Sequence, residues 1–173
     1  VRQHLPGFGE DTPESNRGPA LRVHVDQSPA AAAIRVRKHV PDSNLADELL
    51  KHRYQIINLW RPIHHPVLES PLALCDYRSI DWEKDLVPTT LRFPDRDGEI
   101  LSVNYNPNHK WKYLKDMTLE EAVLIKCADS KEVDGVARLT PHTAFVDPTS
   151  PKDAPLRESI ELRALVFYDD LPN

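Results

Sequence analysis

A mainly β fold, a sandwich, barrel or jelly roll with minor helices, is what this sequence predicts, and three observations carry the prediction. Sixteen of the 173 residues are proline, which breaks long helices and is tolerated at strand ends and in turns. Several short runs alternate apolar and polar residues with the period of a half-buried strand. The helical signals are brief, the clearest running only from Asp42 to Arg53. An α+β arrangement is the second choice. The length suits one domain, 1–173, with no linker to divide it.

The elements follow in order. Residues 1–20 read as loop, because Pro6-Gly7, Thr12-Pro13, Ser15-Asn16 and Gly18-Pro19 are closely spaced turn signals. Leu21 to Val25 alternates like a strand. Asp42 or Ser43 can cap a helix that places Leu45, Ala46, Leu49 and Leu50 on one face and ends near His52-Arg53. Tyr54–Trp60 is a strong strand stopped by Arg61-Pro62; Pro71–Asp76 and Ile100–Asn106 are further strands, with His109–Leu114 placed to pair with the latter. Thr118 and Glu121 have capping-box spacing for a single helical turn before the apolar run Ala122–Cys127. Thr143–Val146 is short, and Glu158–Tyr168 is the longest clean strand. Along it the even positions are mostly apolar and read as the packing face, leaving Arg157, Ser159, Glu161 and Arg163 on the other.

Composition removes several functions. The net charge is −5 with both signs interspersed, which gives no electrostatic footprint for nucleic acid or an anionic membrane. Five glycines cannot build GxGxxG or GxxxxGK[ST], so a phosphate-cradling nucleotide site is disfavoured. No apolar run approaches membrane-spanning length and no signal-peptide pattern opens the chain, so a soluble, cytoplasmic protein is expected. Cys75 and Cys127 lack metal-site spacing and read as two reduced, buried thiols.

Among eight histidines, His24-Val-Asp26 alone has His-x-carboxylate spacing. On a strand, residues i and i+2 point the same way, so both could ligate one ion. Chance supplies such a match about once in a chain of this composition, and a solvated strand face would look the same. At the far end Arg157-Glu-Ser159 sets a guanidinium beside a hydroxyl, a pair able to hold a carboxylate; a solvated edge with an Arg–Glu pair is the alternative. Their order raises both. His24 and Asp26, then His142 after Pro141, then Arg157 and Ser159 15 residues on, is the layout of iron(II)/2-oxoglutarate oxygenases, in which two histidines and one carboxylate leave open positions on the metal. Arg163 shares a face with Arg157 but lies roughly 20 Å along the strand, so at most one of them can reach a given keto acid; Arg157 is preferred for its Ser partner, and Lys126 is third. Adjacent His64 and His65 point opposite ways and rarely chelate one ion. His109 reads as a strand-edge or substrate-facing residue rather than a ligand, and Trp60 as a structural residue at a strand end.

The segments RVHVDQS, INLWRPI, PLALCDYRS, HKWKYLKDM, LIKCADS, PHTAFVDP and RESIELRALVF resemble, in order, the fungal hydroxylase/desaturase AsaB family, which takes in gibberellin desaturase-like and CmcJ-like proteins. The resemblance implies a double-stranded β-helix, iron(II), 2-oxoglutarate as co-substrate, and hydroxylation or desaturation of a small secondary metabolite. It makes His24, Asp26 and His142 the metal ligands, with Arg157 and Ser159 binding the co-substrate. It also implies that this chain is the C-terminal part of a longer family member, because in that barrel the His-x-Asp lies on the second strand and few residues precede it here. N-terminal elements are then missing or supplied by another chain, and homo- or hetero-oligomers stay open. Two other readings stand beside it: a non-catalytic barrel that needs a partner, and a cupin-like metal enzyme that uses the triad without a keto acid.

Overall fold

The computed structural model describes residues 2–3, 18–92, 94 and 97–172. Two sheets face each other. The first has the order β1 (Arg2–Gln3), β10 (Glu158–Pro172), β3 (His52–Pro62), β8 (Val123–Asp129). The second runs β5 (Leu86–Arg92), β6 (Asp97–Val103), β2 (His24–Val25), β9 (His142–Ala144), β4 (Leu72–Cys75), β7 (Trp111–Tyr113). With the β5–β6 hairpin set aside as an insertion, the remaining strands, counted along the chain, alternate between sheets in the orders 1-8-3-6 and 2-7-4-5. That is a double-stranded β-helix, as expected. The loop reading of residues 1–20 is corrected at one place: Arg2 and Gln3 form a strand ahead of the His-x-Asp and pair with Ser159 and Glu158. The turn signals at 6–7, 12–13 and 15–16 lie outside the described residues.

Helix α1 (Pro29–His39), to which the sequence pattern assigned no element, has ordinary causes. The Ser28 hydroxyl accepts from the Ala31 N–H at 3.0 Å and Pro29 opens the first turn, where its missing N–H costs nothing. Ala32 and Val36, one turn apart, are buried against Tyr54, Ile125 and Ala128 of β3 and β8. Helix α2 (Ser43–Leu49) starts where expected, with Asp42 Oδ1 accepting from the N–H groups of Asn44 and Leu45 at 2.9 and 3.2 Å. Asp42→Ala should lower stability by about 1 kcal/mol, the usual worth of such a cap; an unchanged urea midpoint would show that α2 is held by packing alone. Among the described residues no helix is long and apolar enough to cross a membrane.

The structure corrects three further expectations. β7 pairs with β4, not with the strand over residues 97–103, because the β5–β6 hairpin folds away to extend the sheet beyond β2. Thr118 and Glu121 close a turn, the Glu121 carboxylate accepting from the Thr118 N–H at 2.7 Å, but no helix follows. The faces of β10 are reversed. Arg157 and Ser159 are buried, whereas Ile160 and Leu162 are 42% and 64% exposed. The inside of this barrel is where polar groups are needed, so the apolar positions fall outward.

Candidate metal centre

His24 and His142 stand directly opposite each other on neighbouring antiparallel strands, β2 and β9, with ring centroids 4.5 Å apart. Each ring is fixed the same way. Nδ1 of His24 bonds to the backbone carbonyl of Arg22 at 2.8 Å, and Nδ1 of His142 to that of Thr140 at 3.0 Å. A carbonyl only accepts, so Nδ1 carries the proton and Nε2 keeps its lone pair, the form in which imidazole ligates a metal. Both Nε2 atoms face Asp26, His24 at 3.6 Å from Oδ1 and His142 at 3.7 Å from Oδ2. One ligand atom from each of the three residues lies within 4.8 Å of the others. Two imidazoles and one carboxylate on one side of a point form the donor set of non-haem iron(II) sites, so the residues present fit that metal.

Asp26 sits among donors. Oδ2 accepts from Asn58 Nδ2 at 2.7 Å and from the Cys127 thiol at 3.3 Å, and forms an ion pair with Arg163 Nη2 at 3.0 Å. Burial alone would raise its pKa; the close approach of His24, His142 and the Arg163 guanidinium outweighs that and holds the carboxyl well below the usual range. Cys127, buried beside this carboxylate, has its thiol pKa pushed up and stays a protonated donor. It is placed there by a bulge: Ile56 pairs with Ala128 and Ile57 with Lys126, so Cys127 has no residue opposite. Bulges commonly re-aim side chains in this way.

The other expected residues divide. Arg157 and Ser159 do come together inside the barrel. The Arg157 guanidinium lies over the Trp60 ring at 5.3 Å and Nη1 donates to the Ser70 carbonyl at 2.5 Å. Ser159 Oγ is buried with no hydrogen-bond partner among the described residues. Trp60 is two residues from Asn58, about 7 Å along the strand, so β3 carries both the residue that touches Asp26 and the ring beneath Arg157. Arg163 by contrast is committed to Asp26, Asn58 and Glu161. Lys126 is turned to Asp129 at 2.7 Å rather than to the site. His64 is exposed and pairs with Glu158, and the half-buried His65 turns to the Pro66 carbonyl. His109 is neither an edge residue nor a ligand: it is buried against Asp85 at 2.8 Å. Cys75 and Cys127 are both buried and unbridged, as expected. A cavity of about 310 Å³ opens beside the centre, with Gln27 and Cys127, next to Asp26 in chain and in space, in its wall.

Comparison with known proteins gives the family and the fold. A family model described as the oxidoreductase/YMDC permease-like domain matches residues 1–167. The hydroxylase/desaturase asaB of Aspergillus flavus is 44% identical over 140 residues, covering 73% of this chain and 61% of that protein. The Fe(II)/2-oxoglutarate-dependent dioxygenase nvfI of Aspergillus novofumigatus is 39% identical over 151 residues, covering 86% and 52%. Among solved structures, the iron and alpha-ketoglutarate-dependent endoperoxidase NvfI superimposes with a TM-score of 0.82 at 34% identity, over 96% of this chain and 58% of that one. The chain thus spans about 60% of the length of the first of these relatives and of the NvfI structure.

Proposed function

The chain belongs to the oxidoreductase/YMDC permease-like domain family, in the company of the fungal hydroxylase/desaturase AsaB, and from that premise we propose that it forms an iron(II)/2-oxoglutarate oxygenase centre that hydroxylates or desaturates a small secondary metabolite. One observation carries the reading: the convergence of His24 Nε2, His142 Nε2 and an Asp26 oxygen, with both rings held in the ligating form by their own chain. When bound, iron(II) and 2-oxoglutarate supply dioxygen-dependent removal of hydrogen from a C–H bond. The protein's part is to hold and exclude. His24, Asp26 and His142 occupy one side of the metal and leave the other side for exogenous ligands. Arg157 and Ser159 take the distal carboxylate of the keto acid. The guanidinium offers two parallel N–H donors, and the unpartnered Ser159 hydroxyl gains a bond it otherwise lacks. The buried Trp60 ring beneath the Arg157 guanidinium keeps water from this side of the space. A reducing compartment such as the cytoplasm suits the two unbridged thiols.

The test is spectroscopic. Under nitrogen, iron(II) followed by 2-oxoglutarate should produce the visible charge-transfer band of a chelated keto acid. Metal binding without any band would sink the reading and leave a metal enzyme that uses no keto acid. Arg157→Leu should raise the 2-oxoglutarate concentration needed by about 100-fold, the scale for losing one partner of a buried, hydrogen-bonded charge pair. An unchanged requirement would place the carboxylate anchor elsewhere.

A further inference from the structure

Asn58 lies at the middle of β3, fully buried, and every hydrogen-bonding atom of its amide is used. Nδ2 donates one hydrogen to Asp26 Oδ2 at 2.7 Å and the other to Glu161 Oε1 at 2.9 Å; Oδ1 accepts from Arg163 Nε at 2.9 Å. The orientation of the amide follows from its neighbours. Turned over, its oxygen would face two carboxylates and its NH2 would face a guanidinium. Arg163 closes the ring, its Nη2 reaching Asp26 Oδ2 at 3.0 Å and Glu161 Oε1 at 3.4 Å. The two oxygens of Asp26 are therefore unequal. Oδ2 collects the hydrogen bonds of Asn58 and Cys127 and the ion pair with Arg163, with His142 Nε2 at 3.7 Å, whereas Oδ1 faces His24 Nε2 at 3.6 Å.

We propose that Asn58, braced by Arg163 and Glu161, is a positioning residue that makes Asp26 a one-oxygen ligand, an inference that rests on the metal-centre reading above. A carboxylate can bind a metal through one oxygen or through both. An iron site that takes a two-toothed keto acid and dioxygen needs three positions beyond its protein ligands, so a two-oxygen Asp26 would occupy one of them. Saturating Oδ2 with hydrogen bonds leaves Oδ1 as the basic oxygen and fixes its direction. The charges support the same assignment. Asp26 and Glu161 against Arg163 leave one net negative charge beside two neutral imidazoles, which favours a divalent cation without driving the carboxylate to wrap around it. Glu161 contributes by pulling Arg163 and Asn58 into a fixed plane rather than by touching the metal.

Cobalt(II) tests this, because its visible spectrum reports affinity and coordination number together. The wild-type chain should bind cobalt(II), and adding 2-oxoglutarate should change the spectrum. Asn58→Ala should weaken cobalt(II) by about 10–100-fold, the range seen when hydrogen bonds behind a metal ligand are removed. Its spectrum should also show a site with fewer positions open, so that 2-oxoglutarate perturbs it less. Arg163→Gln should move both readouts in the same direction, and Arg163→Lys should restore part of the affinity. A folded Asn58→Ala protein with wild-type affinity and wild-type spectrum would overturn the inference; if Asn58→Ala does not fold, the same two readouts on Arg163→Gln decide it. A wild-type chain that binds no cobalt(II) would instead overturn the metal centre itself.

Discussion

His142→Ala should reduce divalent-metal affinity by more than about 100-fold, beyond what is lost when only the hydrogen bonds behind a ligand are removed. In the proposed centre His142 would supply one of three ligand atoms, from a ring already aimed by the Thr140 carbonyl. Its loss leaves His24 and Asp26, which share one side of the site and cannot define a face by themselves. The energetic cost of folding the site is also spent in advance: the two rings are held across neighbouring strands, so little ordering is left to do on binding. His64→Ala is the control. His64 is two-thirds exposed and pairs with Glu158 away from the centre, so its removal should leave metal affinity unchanged. Equal binding by the two variants, measured by anaerobic titration with iron(II) or cobalt(II), would remove His142 from the ligand set.

Much of the fold was legible because strands over 54–60, 71–76 and 158–168 carry their period openly. What period cannot supply is the choice between faces. The alternation along β10 separates Ile160 and Leu162 from Ser159 and Glu161, and the hydrophobic rule assigns the first pair to the interior. That rule fails here because the interior is a polar site enclosed between sheets, and its charges are satisfied by one another rather than by water. Partner choice was illegible for a related reason. β7 follows β6 in the chain, but the long β5–β6 hairpin between β4 and β7 frees β7 to return to β4.

The proposed triad of His24, Asp26 and His142 was legible at the level of spacing, since i and i+2 on a strand share a side and a distant histidine can be brought opposite. The residues that tune it were not. Asn58 sits in an apolar run, and the one signal it offers is being polar at an inward position between Ile56 and Trp60. Cys127 reaches Asp26 through a bulge between two registers of the β3–β8 ladder, and no sequence period marks a residue that the ladder skips. Arg163 illustrates a third limit. Its six-residue separation from Arg157 showed that one keto acid could not use both, but which was nearer the metal depended on strand direction across the two sheets.

Asp129→Ala should be the most damaging substitution for stability, costing about 3 kcal/mol, the scale for breaking a buried ion pair from one side. The Asp129 side chain has no exposed surface, and five donors converge on it. Arg53 binds it through Nε at 3.1 Å and Nη2 at 2.8 Å; Gln55 Nε2 and Lys126 Nζ each donate at 2.7 Å, and the Lys131 N–H at 3.0 Å. Removing the carboxylate strands a guanidinium and an ammonium that are each mostly covered. The same contacts set a pH dependence. Burial would raise the Asp129 pKa, but Arg53, Lys126, the Lys131 N–H and Gln55 together bring it below its ordinary value. An acid whose folded pKa lies below the unfolded one, about 4, takes up its proton first in the unfolded chain, so acid favours unfolding. Its stabilisation is complete above about pH 5 and declines as the pH falls through about 4 toward the folded pKa. Asp129→Asn keeps the shape and cannot titrate. The gap between wild type and Asp129→Asn in urea midpoint should therefore be widest near neutrality and narrow steadily below about pH 5. A gap that stays constant down to acid pH would mean that the cluster acts through shape and neutral hydrogen bonds rather than through the charge of Asp129.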